Sequence, residues 1–246
     1  MKVGPASPAP CWRRHGGPDA GGIPTSRRYD GAVEPTARAD LSRTWAVVPI
    51  RGLASAKTRL GSDLDAEERL DLVTELLRRT LVATRDAERL AGTIVVTRDP
   101  LAAGLAKRHR AIGLVERAPG LNEAIEAARS LAVARGATAM LVLPADLPAA
   151  AAEHVDHLVE AGLARDSSPG LVVLVPDQHG EGTNALLLSP ATVIAPAFGP
   201  GSRSAHRDAA ARAGAHYLEV DGPLSLDLDT PADLLAAEAA LGSLRG

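Results

Sequence analysis

Three sets of residues in this chain have the types and spacing to handle phosphates. The first is the loop PIRGLASAKTRLG, Pro49 to Gly61, which follows a short apolar run and carries Gly52, then Lys57 and Arg59. A glycine turn can aim backbone N–H groups at an anion, and the two cations add charge against a triphosphate. It is not a Walker A loop, which needs a second glycine just before its lysine; here Gly52 is followed by Leu53, Ala54, Ser55, Ala56 and then Lys57. Taken alone, Arg51, Lys57 and Arg59 read equally well as solvated charges.

The second set is acidic. Asp146 in LPADLP closes an aliphatic run between prolines, and Asp227 and Asp229 in DLDTPADL stand just before Pro231. Carboxylates on two converging loops can hold Mg²⁺, which takes oxygen ligands and shares itself with substrate phosphates. Phosphoryl and nucleotidyl transfer need that arrangement. The competing reading is a helix start, with Asp229 or Thr230 as the cap and Pro231 in the first turn. A cap uses one of these residues and leaves an aspartate over. The third set is HGEGTNALLL followed by FGPGSRSAH. Thr183, the N–H groups around Gly199 to Ser202, and the Ser202 hydroxyl at a helix N-terminus would form a small-anion pocket. Hairpin-turn and N-cap chemistry account for the same residues. His206 reads as a half-buried surface histidine, and His109 and His179 as helix-surface and loop residues. No Ser-His-Asp or Cys-His pattern suggests a protein nucleophile.

These loops need a scaffold, and the hydrophobic pattern supplies one. Short aliphatic runs bounded by Pro, Gly or Asp predict strands at 45–50, 93–97, 139–144, 171–176, 185–189 and 216–220. Between them, residues 65–84 place Leu70, Val73, Leu77, Leu81 and Thr84 on one helical face; 121–135, 151–163, 202–213 and 231–241 read as helices too. Strands alternating with helices predict an α/β fold with parallel strands, right-handed crossovers and helices on both faces. Ligands of such sheets sit beyond the carboxyl ends of the strands, where all three sets lie.

Composition narrows the function classes. The 246 residues suffice for one domain, expected at 44–246, while residues 1–43 are rich in Gly, Pro, Ser and Arg without apolar periodicity. That segment is expected to be a disordered tail or the product of an upstream start codon, with a basic interaction tail as the alternative. It carries seven Lys/Arg and four Asp/Glu; the chain as a whole is at −3, so the remainder is at −6. An acidic body with 2% aromatic residues is a poor nucleic-acid binder, lacking both charge and stacking platforms. The only cysteine, Cys11, lies in the tail, which rules out an intrachain disulfide and fits a reducing compartment. No apolar run reaches 18 residues, so no membrane span is expected and the chain is read as cytoplasmic.

The order AKTRLG, GLNEA (120–124), LPADLP, GTNALLL, FGPGSRSAH, DLDTPADL resembles the guanylyltransferases of deazaflavin coenzyme F420 biosynthesis, CofC in archaea and FbiD in actinobacteria, over residues 45–241. PADLP and DxDTPxDL also occur in other nucleotidyltransferases; GTNALL followed by FGxGSxxxH is more specific. The resemblance implies a single-domain nucleotide-diphospho-sugar transferase fold, Rossmann-like with a mostly parallel sheet. It also implies condensation of a phosphorylated three-carbon acid with GTP, releasing pyrophosphate. By motif, Gly52, Lys57, Arg59 and Asn122 would meet GTP, Asp146 and the Asp227/Asp229 pair would bind Mg²⁺, and Thr183, Gly199 and Ser202 would hold the acid; Lys57 and Asp146 would be catalytic. Phosphoenolpyruvate, associated with bacterial members, and 2-phospho-L-lactate are the candidate acids, and a downstream transferase is the candidate partner. A molybdopterin or sugar nucleotidyltransferase and a non-catalytic nucleotide-binding module are the rival readings. The first opens with a longer Gly-rich loop, and the second has no need of three aspartates.

Overall fold

The computed structural model describes residues 39–61, 63–117, 120–164 and 170–244, apart from the Arg59 side chain. Seven strands form one sheet in the order β3-β2-β1-β4-β6-β5-β7. They are β1 (Thr44–Ile50), β2 (Leu90–Thr97), β3 (Ile112–Val115), β4 (Ala139–Val142), β5 (Leu171–Pro176), β6 (Thr183–Ser189) and β7 (His216–Glu219). The helices are α1 (Ala66–Asp86), α2 (Pro100–Arg108), α3 (Leu121–Ala134), α4 (Ala152–Leu163), α5 (Ser202–Arg212) and α6 (Pro231–Leu241). Structures of this plan are α/β and mostly parallel, as the alternation predicts.

The predicted strands and helices are present, and two elements were not predicted. Both α2, PLAAGLAKR, and β3, IGLV, are short, and Ala and Gly blur their periodicity. Gly113 in β3 is needed for close approach, because a Cβ there would run into the Ala103 backbone of α2. Not all neighbours are parallel: β6 runs antiparallel to both β4 and β5. The six residues between β5 and β6 contain no helix, so the chain can only turn back on itself there. The reversal is useful, because Thr183 at the start of β6 pairs with Pro176 at the end of β5. A strand beginning thereby joins the end of the sheet where the parallel strands finish.

Alternate residues of each strand feed opposite cores. Leu141, Val173 and Leu187 pack with α1 and α4, whereas Met140, Val172, Leu186 and Leu188 pack with α3 and α5. On α1 the buried stripe is wider than predicted and is centred differently. It takes in Leu72, Leu76 and Thr80 beside Val73, Leu77 and Leu81, and Leu70 is 36% exposed. The extra width serves a second apolar cluster on the outer side of α1, where Leu72 and Leu76 meet Leu60, Leu64, Leu228, Leu234 and Ala237. Residues 39–43, on the tail side of the expected boundary, already pack on the domain: Leu41 is buried in the α1/α4 core. The rest of the expected tail, residues 1–38, and Cys11 with it, lies outside the described residues.

Candidate active site

Strands β2 and β3 lie on one side of β1, and β4 lies on the other, so the chain changes direction of winding between β1 and β4. A crevice opens at such a switch point because the connecting helices leave in opposite directions. Here a cavity of about 340 Å³ is lined by Pro49, Ile50 and Arg51 after β1, by Ala56, Lys57 and Thr58, and by Pro144, Ala145, Asp146 and Asp229. A smaller one of about 90 Å³ shares Pro49 to Arg51 and extends to Thr97, Glu116 and Gly120.

Lys57 organises the larger cavity. Its Nζ lies 2.8 Å from Asp146 Oδ2 and 2.6 Å from Asp229 Oδ1, and its side chain is only 9% exposed. Burial alone would push the ammonium's pKa down, but the two carboxylates, Asp146 above all, outweigh it and hold the pKa above the ordinary lysine value. The residue itself sits at φ 55°, ψ 37°, in the left-handed region that side chains other than Gly and Asn seldom adopt. The loop around it accounts for that geometry. Asp99, after β2, caps α2 through Leu101 N–H at 2.8 Å and with its other oxygen accepts Leu53 N–H at 3.0 Å. Gly52 permits that approach, since a Cβ there would lie 3.0 Å from Ser55 Oγ and 3.4 Å from Asp99 Cβ. A 3-10 turn, Thr58–Leu60, then begins at once on Lys57 and drives Leu60 into the outer cluster. Gly52 thus shapes the loop, and Lys57 is what the loop presents. The Arg59 side chain, expected beside Lys57, lies outside the described residues.

The DLDTPADL segment answers the capping question. Thr230 is the N-cap of α6, with its Oγ1 accepting Asp233 N–H, and Asp233 Oδ2 in return accepts from Asp229 N–H at 3.0 Å and Thr230 N–H at 2.7 Å. Capping is therefore done by Thr230 and Asp233, and the side chains of Asp227 and Asp229 are left for the site. Asp229 pairs with Lys57. Asp227 accepts from Asn184 Nδ2 at 3.3 Å, and its pKa is raised by burial first and then by repulsion from Asp146 and Asp229. Main chain ties the two acidic loops together, Leu228 N–H donating to Asp146 O at 3.1 Å. Sequence reasoning missed Asp99, Asn184 and Asp233, the residues that place the others. An Asp-Pro pair directly after a strand was a visible signal for Asp99 alone.

Among the described residues no three His, Cys, Asp or Glu side chains enclose a metal by themselves. The donor chemistry still suits Mg²⁺. Asp146 and Asp229 converge on one cation, and Asp227 is close enough to feel both. Such an all-oxygen set matches a hard ion that completes its shell with phosphate oxygens and water.

The third set comes together at the start of β6, on the same end of the sheet. Ser202 Oγ and Thr183 Oγ1 are 3.1 Å apart and both residues are buried. Gly201, at φ 70°, is the N-cap of α5, so Ser202 is the first helical residue and not the cap. Gly199, at φ 134°, takes a backbone conformation that favours glycine. His206 is not the half-buried surface residue expected: it is fully buried, with Nδ1 3.1 Å from Thr183 Oγ1. Asn122 also has a different task. Its amide donates to Phe198 O at 3.0 Å and accepts from Phe198 N–H at 2.8 Å, so it clamps the FGPGS loop to α3. One amide N–H and the carbonyl oxygen of Asn122 are thereby engaged within the protein.

Comparison with known proteins gives the family and the fold. Residues 44–238 match the model of the family described as guanylyl transferase CofC like. A phosphoenolpyruvate guanylyltransferase of Sphaerobacter thermophilus is 41% identical over 204 residues, 81% of this chain and 96% of the relative. That of Rubrobacter xylanophilus is 40% identical over 199 residues, 80% of this chain and 95% of the relative. Among solved structures, a 4-diphosphocytidyl-2C-methyl-D-erythritol synthase superposes with a TM-score of 0.57 at 16% identity, covering 81% of this chain and 99% of that one. A Desulfovibrio desulfuricans G20 protein described as a nucleotide-diphospho-sugar transferase gives 0.61 at 14%, covering 77% and 83%. At those identities the structures speak for the fold alone, the nucleotide-diphospho-sugar transferase fold. The family match spans the sheet and every residue of the site just described, and this chain belongs to the CofC-like guanylyl transferase family, a family of nucleotidyltransferases.

Proposed function

We propose that the chain condenses phosphoenolpyruvate with GTP to give enolpyruvoyl-2-diphospho-5'-guanosine and pyrophosphate, as a step in coenzyme F420 biosynthesis. The observation that carries this reading is the buried Lys57 ammonium held between Asp146 and Asp229 at the mouth of the switch-point cavity. The activity named for the bacterial relatives supports the choice of acid over 2-phospho-L-lactate.

A phosphate oxygen of the acid attacks the α-phosphorus of GTP, and the bond from that phosphorus to the bridging oxygen breaks, pyrophosphate leaving with the electron pair. Two anions must meet, so neutralisation and alignment do most of the catalytic work and no protein nucleophile is needed. Lys57, with Arg51 on the same wall, faces the triphosphate. Asp146, Asp227 and Asp229 would hold Mg²⁺, which when bound supplies positive charge to the phosphates in transfer. Thr183, Ser202 and the Gly199 turn take the acid; hydroxyls and N–H groups suit its oxygens because they bind without bulk. Arg59 is assigned to the nucleotide on the family motif alone. The product is a diphosphate diester whose phosphoanhydride bond is activated for transfer, which favours hand-over to a downstream transferase. Both substrates are cytoplasmic metabolites, and among the described residues no helix is long and apolar enough to cross a membrane.

The test is incubation with GTP, Mg²⁺ and either acid while pyrophosphate is followed. Release is expected with phosphoenolpyruvate; release with 2-phospho-L-lactate alone transfers the assignment to that acid, and none with either overturns it. Asp146→Asn is expected to abolish turnover with the fold retained.

A further inference from the structure

The mechanism above leaves one buried titratable side chain unused. His206 is 0% exposed, on α5 one turn beyond Ser202, and both of its ring nitrogens are engaged. Nε2 lies 2.9 Å from the backbone nitrogen of Ala197, whose N–H can only donate. Nε2 must therefore be the acceptor and carry no proton. The neutral ring then bears its proton on Nδ1 and donates to Thr183 Oγ1 at 3.1 Å, a tautomer assigned from the hydrogen-bond network. Phe198 closes over the ring edge-on, with centroids 5.1 Å apart.

The consequence falls on the hydroxyl pair. Thr183 Oγ1 already accepts from His206, and 3.1 Å away is Ser202 Oγ. If Ser202 donates to Thr183, both acceptor positions of Thr183 are filled and its own O–H must point elsewhere. If Thr183 donates to Ser202, the O–H of Ser202 must point elsewhere instead. In either arrangement one hydroxyl proton is left over, and the hydrogen bonds among the described residues give it no acceptor. A donor without an acceptor at the sheet end where chemistry is expected calls for an anionic oxygen.

We infer that His206 is a positioning residue: by donating Nδ1–H to Thr183 it makes the Thr183–Ser202 pair a hydrogen-bond donor aimed at the ionised acid substrate. The inference rests on the proposed reading that this pair faces the acid. Burial, which pushes the ring's pKa down to about 4, keeps it neutral and the arrangement fixed at physiological pH. Asn184, next to Thr183 in β6, donates to Asp227 at 3.3 Å, so the hydroxyl pair stands one residue from the strand's contact with the acidic loop.

Three variants test this with phosphoenolpyruvate as the varied substrate. His206→Leu is expected to raise KM for the acid about 10-fold or more, as for loss of a hydrogen bond to a charged group, with kcat and KM for GTP changed less than about 3-fold. His206→Gln can accept from Ala197 and donate to Thr183 with one amide, and should recover most of that loss. Thr183→Val, which leaves α5 untouched, should reproduce the Leu effect and cover the case of a Leu variant that does not fold. Equal losses in Leu and Gln, or a Leu variant that weakens GTP as much as the acid, would overturn the inference. Nitrogen-15 NMR of the wild-type ring provides an activity-independent check: a neutral Nδ1–H ring at pH 7 is required, and an Nε2–H or charged ring refutes it. A wild-type chain that fails to turn over phosphoenolpyruvate refutes the substrate reading, and the ring tautomer still decides the hydrogen-bond argument.

Discussion

Replacing Lys57 by alanine and by glycine separates two effects that the native residue combines. Both variants remove the ammonium and the buried stem, so both leave Asp146 and Asp229 facing each other without a cation. Breaking a fully buried ion pair costs about 3–5 kcal/mol. The two carboxylates are 35% and 48% exposed, however, and water can solvate what the lysine abandons. The electrostatic loss is therefore nearer to ~1–2 kcal/mol. It is common to the two variants and cancels between them. What differs is the backbone at φ 55°, ψ 37°. Alanine pays the left-handed penalty of about 1–2 kcal/mol, and glycine does not. Lys57→Gly should therefore be more stable than Lys57→Ala by about 1 kcal/mol, the reverse of the usual order, in which Gly costs ~0.5–1 kcal/mol relative to Ala. Urea unfolding of both variants at pH 7 measures the difference. In the pyrophosphate assay both should fall about 10²- to 10³-fold, the scale for losing a charge aimed at the reacting phosphates. An alanine variant as stable as the glycine one would refute the account of the loop. Activity within 10-fold of wild type in either would refute the catalytic role of the ammonium.

Other consequences of the geometry are as open to measurement. Asp227→Asn should stabilise the fold or leave it unchanged at pH 7 while lowering activity. Burial and its acidic neighbours raise the Asp227 pKa, so the charged form costs stability at neutral pH that is recovered as pH falls; a large loss of stability by urea unfolding would contradict this. The His206 pKa is depressed, so its stabilising effect is complete above 6.5 and is lost as pH falls toward about 4. By pH 5 the fold should have lost about 2 kcal/mol from this ring, a drop that His206→Gln should not show in parallel unfolding curves. Asn122→Ala should raise KM for the acid and leave KM for GTP nearly unchanged, because the amide holds the Phe198 loop; a selective effect on GTP would return Asn122 to the nucleotide site.

The elements and the site were legible to different degrees, for physical reasons that particular residues make plain. Aliphatic runs such as LVVLVP and the amphipathic α1 announce themselves because burial selects residue type at a fixed period. IGLV and PLAAGLAKR do not, because four residues and a string of alanines are too short or too uniform to carry a period. The antiparallel β6 follows from the lack of a helix between 177 and 182, and the hairpin-turn reading of HGEGTNALLL is the one that fits it.

The sequence by itself determined the α/β class, the family, and the candidate loops of the site, because backbone propensity, apolar period and motif spacing are local properties of the chain. Tertiary structure alone decided which residues meet. Lys57 finds Asp146 and Asp229, 89 and 172 positions away, because Leu60 and Leu228 share one apolar cluster and a backbone hydrogen bond joins the acidic loops. The same packing separated Asp233 as cap from Asp229 as partner of Lys57, gave Asn122 to Phe198, and buried His206 against Thr183. Partners so far apart in sequence leave no period or spacing between them, so their pairing is a property of the packed core and appears only when the chain has folded.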